Sequence, residues 1–461
     1  MVTEHLSPLD LAFWRIESAA HPMHLGALAV FEAAPQGPAP GPGPGPGPGP
    51  GPGPGPGGGP DAAVRAAALL TARCVAVPGL RRRIHDVLLP IGAAAWSSDA
   101  DFDPARHVFL VRTGDPQAAA GPLMARPLDR SRPPWEAHVL AGPDPGSFAV
   151  LFKFHHALAD GLGALALAAM LFDEGPPVRG PARPAPVPQP GGSALRSLPG
   201  ILAARVQDVG QALEIGASVA RAGLPLGVPA ALTAVPAQTG TRAVAGLALD
   251  LDDVNRIRKV AGGTVNDVLI AMVAGALRRW LVGRGDPAPE GPGPRALIPV
   301  SRRRPGGARY GNRLSGYLLR LPLAEPDPLL RLHRVRTGMD RNKEAGPARG
   351  AGAVALLADH VHPLGHRLGG PLVAQAARLL FDILVTSVPL PSFTFSLGGS
   401  RVREVYPLAP LARGHSLAVA VSTYKGTVHY GLVADAAAVP DLAALAEALR
   451  AELDELVREV S

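Results

Sequence analysis

The sequence predicts an α+β fold divided into two domains, on three observations. The chain has 461 residues with 47% hydrophobic content, more than one hydrophobic core usually organises. Strand-like and helix-like segments mix without the regular alternation of a doubly wound parallel sheet. Residues 176–192 form a proline-rich interval, the composition of a crossing between domains. The expected organisation is an amino-terminal domain over 1–175, a proline-rich linker and helical connection over 176–241, and a carboxy-terminal domain over 242–461.

Residues 4–32 open with a short helix carrying Leu6, Leu9, Phe13 and Ile16, followed by a strand from Met23 to Phe31. Within residues 36–60, Gly and Pro alternate unbroken from Gly41 to Pro56. Every second residue of that tract lacks an N–H donor, which excludes a helix or an interior strand. An exposed, extended loop is expected there, and expansion of a repeat explains it more simply than a partner motif does. A helix follows over Asp61–Val77, a strand over Val87–Ile91, and another helix over Gln117–Met124. The apolar runs His138–Ala141 and Phe148–Phe154 read as paired strands around a turn at 142–146. Residues 162–171 are Ala/Leu-rich and read as a helix. In 194–222, Leu195, Leu198, Leu202 and Val206 lie near helical spacing, suited to covering a groove or lying on a membrane surface.

The second domain begins with a strand over Ala243–Leu251, a helix from Asp252 to Val260 and a long helix over Thr264–Leu281. Strands are predicted at Ala296–Val300, Ser315–Leu321, Asp382–Val388, Phe393–Leu397, Leu417–Tyr424 and Thr427–Val433, with an amphipathic helix over Pro440–Val457 closing the chain.

Composition excludes several classes. No run of 18 or more apolar residues occurs, so no membrane-spanning helix is expected. Met1-Val2-Thr3-Glu4-His5 lacks the basic-then-apolar pattern of a secretory signal. The single cysteine, Cys74, has no internal disulfide partner, which fits a reducing cytoplasm. The net charge of +7 comes almost entirely from arginine, and aromatics make up 4% of the chain. Without a basic recognition helix or a stacking pattern, nucleic acid is not the expected partner. A basic surface still suits anionic lipid or the phosphates of a CoA thioester.

The chemistry concentrates in His155-His156-Ala157-Leu158-Ala159-Asp160-Gly161, between the apolar strand and the Ala/Leu helix. A histidine at a strand end, with a carboxylate four residues on, suits a general base held by its loop. Asp160 need not relay a proton; pairing with an arginine would equally fix the loop. No Gly-x-Ser-x-Gly elbow accompanies the histidines, and no Gly-x-x-x-x-Gly-Lys loop is present, which leaves out a serine-hydrolase triad and ATP-driven chemistry. His360, His362 and His366 invite a zinc reading, but only Asp359 joins them, and no metal is expected.

The stretch is the HHxxxDG signature, and through it the chain resembles the bacterial wax ester synthase/diacylglycerol acyltransferase family within the CoA-dependent acyltransferase superfamily. The narrower resemblance rests on Leu6-Ser7-Pro8-Leu9-Asp10 with Glu17, Pro22–Leu28, Pro127–Glu136, Asn266-Asp267, Pro299–Arg302 with Gly311-Asn312, and the run from Leu397 to Leu456. It covers nearly the whole chain apart from the two Pro/Gly-rich insertions.

The resemblance implies two chloramphenicol-acetyltransferase-like sandwich domains with the active site in a tunnel at their interface. It implies long-chain acyl transfer from acyl-CoA to diacylglycerol, or alternatively to a long-chain alcohol. A lipid-binding or lipid-droplet protein of low activity is the remaining alternative. Acyl-CoA is then a co-substrate and no cofactor is needed. His156 would be the base and His155 its support. Asp160 would be structural, and Gly161 would give turn freedom or close substrate approach. Asn266 is either the oxyanion donor or a helix cap, and Asp267 supports the site or serves as a favourable charge at the helix start. Glu17 lines the site or forms a salt bridge, Trp135 is an aromatic anchor beside it, and Arg302 either reaches the CoA phosphates or is solvated. Two departures from the family pattern stand out: Pro134, where Leu is usual, and the segment Thr386–Pro391. A cytoplasmic protein peripherally associated with membrane or lipid droplets follows from the lipid substrates.

Overall fold

The computed structural model describes residues 4–32, 61–88, 91–144, 146–173, 240–286, 290–301, 314–345 and 381–461. The Gly-Pro tract, segment 194–222, Arg302 and the histidines at 360, 362 and 366 lie outside these residues.

Three sheets organise the described residues. A small one joins β1 (Glu4–His5), β3 (Arg82–Asp86) and β4 (Ala94–Ser98). A six-stranded sheet contains β2 (His24–Phe31), β5 (Val108–Arg112), β6 (Trp135–Ala141), β7 (Phe148–His155), β12 (Ser396–Leu397) and β13 (Ser400–Leu408), in the order β12-β13-β2-β7-β6-β5. The second six-stranded sheet contains β8 (Arg242–Asp250), β9 (Arg295–Ser301), β10 (Leu314–Arg320), β11 (Ile383–Pro389), β14 (Leu417–Tyr424) and β15 (Thr427–Asp435), in the order β10-β9-β11-β14-β15-β8. Strands β12 and β13 come from the second half of the chain yet hydrogen-bond into the first sheet, β13 lying antiparallel to β2. Segment 242–461 is therefore not confined to the second sheet.

Every residue of β7 is buried. Phe148, Val150, Phe152 and Phe154 pack with α2 (Ala62–Cys74) and α4 (Gly161–Ala169) on one face. Ala149 and Leu151 face a core shared with Leu28, Tyr406, Leu408, Ala418, Ala420 and Val433, between the two large sheets. A strand covered on both faces reads as a continuous apolar run rather than an alternation, and so this strand was legible from sequence.

The second sheet is backed by α5 (Leu251–Ala261), α6 (Val265–Gly283), α7 (Pro328–Ala345) and α8 (Leu442–Glu459). Helix α6 is buried through consecutive positions from Asp267 to Leu277 because neighbours surround it. At Gly275 a Cβ would collide with the Glu452 carboxylate, so the glycine admits the buried pair Arg331–Glu452. The exposed edge of β8 is met by α3 (Pro116–Ala125). There the Gln117 side-chain oxygen accepts the Gly246 N–H at 2.7 Å, satisfying a group that an open edge leaves unpaired.

The predicted α1 (Pro8–Ile16), α2, α3, α4, α5, α6 and α8 all form, within a few residues of their expected ends. The strand expected at Val87–Ile91 does not. Its described residues lie between β3 and β4, with Leu88 92% and Ile91 55% exposed. Helix α7 and strands β1, β3, β4 and β13 are not among the elements that the sequence predicts.

Candidate active site

The histidine motif stands at the carboxy-terminal end of β7, where the strand turns into α4. The backbone fixes it from two sides: His155 N–H donates to Pro134 O at 2.9 Å and His156 N–H to Met23 O at 2.8 Å. Pro134 supplies a carbonyl, which proline retains, so the departure from Leu there costs this contact nothing. Asp160 is buried and is the N-cap of α4, its carboxylate accepting the Gly163 N–H at 2.9 Å, as a helix start favours.

The two imidazoles have different surroundings. His155 is completely buried. Its Nδ1 accepts the Ala157 N–H at 2.9 Å, which assigns the proton of the neutral ring to Nε2. That atom lies 3.4 Å from Glu17 Oε2. Glu17 in turn accepts the Met23 N–H through Oε1 at 3.0 Å and lies 3.9 Å from Arg130. Burial works to raise the Glu17 carboxyl, but His155, the Met23 N–H and Arg130 together hold it below the ordinary range. Nδ1 of His155 is thus hydrogen-bonded within its own loop, while Nε2 faces the Glu17 carboxylate at ion-pair distance without a well-formed hydrogen bond. His156 is only half-buried and lines an apolar cavity of about 460 Å³.

Residues of both large sheets and of α4 line that cavity. The first domain lines it with Gly26, Phe152, Phe154 and Leu165, and the second with Ile298, Leu384 and Val388. Asp160, Gly161 and Asn266 also line it. Its volume falls in the range of about 300–1,000 Å³ usual for small-molecule sites, and its few polar groups suit a mostly apolar ligand.

Gly161 does not adopt the positive φ that turn freedom would require. A Cβ there would lie 3.0 Å from Val388 Cγ2, so its small size admits the second sheet at the cavity wall. Asn266 is not a helix cap either. Thr264 caps α6, forming a capping box with Asp267, whose carboxylate accepts the Thr264 N–H at 2.8 Å. The Asn-Asp pair therefore divides, with Asn266 on the cavity and Asp267 buried in the cap. Glu17 forms ion pairs behind the motif and is not among the cavity-lining residues. Trp135 is buried, donates Nε1–H to Leu80 O at 2.7 Å and stacks on His107; it anchors the β6 end rather than the cavity. The atypical segment does reach the site, with residues 386–390 lining the cavity.

Sequence reasoning missed the aromatic support from α1. The Phe13 ring stacks on His156 with centroids 4.0 Å apart, and Trp14 meets His155 edge-on at 5.0 Å. In the sequence Phe13 belongs to the apolar face of a helix, and nothing in its spacing distinguishes the ring that meets a histidine. Among the described residues no group of three or more His, Cys, Asp or Glu is placed to hold a metal ion.

Two large sheets around a cavity, with a histidine pair ending the strand beside it, define a two-domain acyltransferase fold. The wax ester synthase/diacylglycerol acyltransferase from Marinobacter aquaeolei VT8 superposes with a TM-score of 0.68 at 22% identity, covering 99% of each chain. The first condensation domain of the CDA synthetase does so with a TM-score of 0.58 at 16% identity, covering 100% of this chain and 97% of that one. The expected mixed fold is borne out by both.

Residues 6–269 match the wax ester synthase/diacylglycerol acyltransferase catalytic domain, and residues 310–457 match the carboxy-terminal domain of the same family. A Mycobacterium tuberculosis protein named a probable diacylglycerol O-acyltransferase is 31% identical over 480 residues, covering 99% of both chains. The chain belongs to the wax ester synthase/diacylglycerol acyltransferase family.

Proposed function

We propose that the protein transfers a long-chain acyl group from acyl-CoA to the free hydroxyl of diacylglycerol, with His156 as general base. The observation that carries this reading is the contrast between the two imidazoles. His155 is fully buried, with Nδ1 accepting from Ala157 and Nε2 turned to the Glu17 carboxylate behind the motif, whereas His156 is half-buried and lines the apolar cavity. In the proposed step His156 accepts the hydroxyl proton as the oxygen attacks the thioester carbonyl. The tetrahedral intermediate collapses, the C–S bond breaks, and the imidazolium returns the proton to the departing CoA sulfur. The product is triacylglycerol, and no acyl-enzyme forms. Asn266 is the candidate donor to the oxyanion, a contact worth a few kcal/mol in such reactions. Glu17 orients the ring of His155, and Asp160 fixes the helix start behind the base. No cofactor is required.

Diacylglycerol is preferred as acceptor because the mycobacterial relatives carry that activity in their names. A long-chain alcohol, giving a wax ester, is the competing acceptor. Labelled palmitoyl-CoA offered with diacylglycerol or hexadecanol separates the two. His156→Ala should abolish product with the fold intact, and His155→Ala should be less severe. Product formed faster with hexadecanol would make the protein a wax ester synthase. Absence of product with either acceptor would leave a lipid-binding protein.

Because both acceptor and product are lipids, we also propose peripheral association with an anionic membrane or lipid-droplet surface. Leu88 and Ile91, exposed in the connection between β3 and β4, support this reading, since exposed apolar tips suit such surfaces. Among the described residues no single helix is long and apolar enough to cross a membrane.

A further inference from the structure

We infer that Phe13 is a positioning residue for His156, covering one face of the imidazole and favouring the charged ring that forms as the acceptor hydroxyl loses its proton. The inference rests on the proposed role of His156 as base.

The contact is well defined. The two rings lie 4.0 Å apart at centroid and 15° from parallel. Helix α1, which carries Phe13, is pinned on all sides. Ser7 caps it by accepting the Asp10 N–H at 3.2 Å. Leu11 and Trp14 are buried with Ile84, Ala94 and Ala157. Arg15 bonds Asp86 at 2.7 Å and Gly92 O at 3.1 Å, and Arg130 bonds Trp14 O at 2.6 Å. Phe13 itself is only half-buried and does not join that apolar cluster, so core packing is a poor account of its placement. Its principal ring partner is the imidazole.

A phenyl face is electron-rich and attracts a cation held within about 6 Å of its centre. The neutral imidazole gains less from it. The stack therefore acts mainly on the imidazolium, the state that develops during proton transfer, which is how an interaction lowers a barrier rather than merely tightening binding. Other ionisable groups around the base, among the described residues, are Asp160 on the cavity wall and His155 with Glu17 and Arg130 behind it. Replacing Phe13 leaves all of these in place.

The test compares Phe13→Leu and Phe13→Tyr with wild type and His156→Ala, using palmitoyl-CoA and diacylglycerol. Phe13→Leu should lower kcat about tenfold, the size expected of a partly desolvated cation–π contact, with both KM values within about twofold. The acid limb of its pH–rate profile should move to lower pH, because the imidazolium is harder to form. Phe13→Tyr should restore most of kcat and the limb. Wild-type kcat in Phe13→Leu, equal losses in the Leu and Tyr variants, or a lowered kcat with an unmoved limb would each overturn the inference while leaving the base reading intact. Turnover by His156→Ala would overturn the base reading and this inference with it.

Discussion

Around the motif, small differences in side-chain size and hydrogen bonding decide which atoms meet substrate. The histidine pair itself was plain in the sequence, since it interrupts an apolar strand just before a helix. The division of labour within it was not, because it depends on the Ala157 N–H and on Glu17, a residue far away in the chain. Gly161 shows the same limit: its contact with Val388 joins two distant segments. A larger side chain there should force the cavity wall apart. Gly161→Val is expected to cost about 1–3 kcal/mol, the usual penalty for overpacking. Val388→Ala should recover part of that loss, which urea unfolding of the two single variants and the double variant would reveal as a coupling of at least about 0.5 kcal/mol. Strictly additive losses would show that the two residues do not press on each other.

At the scale of elements, legibility followed apolar continuity. Strands β7, β14 and β15 and helix α6 are rich in buried apolar residues and were readable. Strand β3 has a single buried residue, Ile84, among charged neighbours. In β13, Arg401, Arg403 and Glu404 mask the buried Val402, Tyr406 and Leu408. Helix α7 carries so many arginines that Leu332, Val335 and Met339 barely register. Strands β6 and β7 add a buried polar contact that no periodicity displays: Glu136 accepts from Lys153 Nζ at 3.1 Å and meets His138 Nε2 at 2.9 Å. Burial alone would raise the Glu136 carboxyl, but His138 and Lys153 pull it down to about 2. Glu136 is therefore harder to protonate when folded. Its contribution, on the order of 3 kcal/mol at most, is present in full above about pH 4.5 and is lost as pH falls towards 2. Chemical denaturation at pH 7, 4 and 3 should show this acid-side loss shrinking in Glu136→Gln; an unchanged acid slope would mean that other carboxylates dominate.

For the whole molecule, the two-domain plan was foreseeable from length and composition, whereas the exchange of β12 and β13 into the first sheet was not. It arises from long-range pairing, which local propensity does not encode. The consequence is a cavity walled by both halves of the chain, so its shape depends on how the two sheets sit against each other. An enzyme with such a site must still reach lipid acceptors. Flotation with anionic liposomes at low salt should carry the wild-type protein upward, and Leu88→Asp should weaken that binding about tenfold or more, since it removes one apolar side chain and adds a repelled charge. Equal flotation of the two proteins would place the lipid contact elsewhere on the surface.

The proposed function turns on His156 as the base of an acyl transfer to a lipid hydroxyl. Its most direct test is the rate of triacylglycerol formation from palmitoyl-CoA and diacylglycerol by wild type and His156→Ala, at matched concentrations of folded protein. Wild type should form product steadily, and the variant should lose at least about a hundredfold in rate, the lower end of what general-base catalysis contributes. Equal turnover by the two proteins would contradict it.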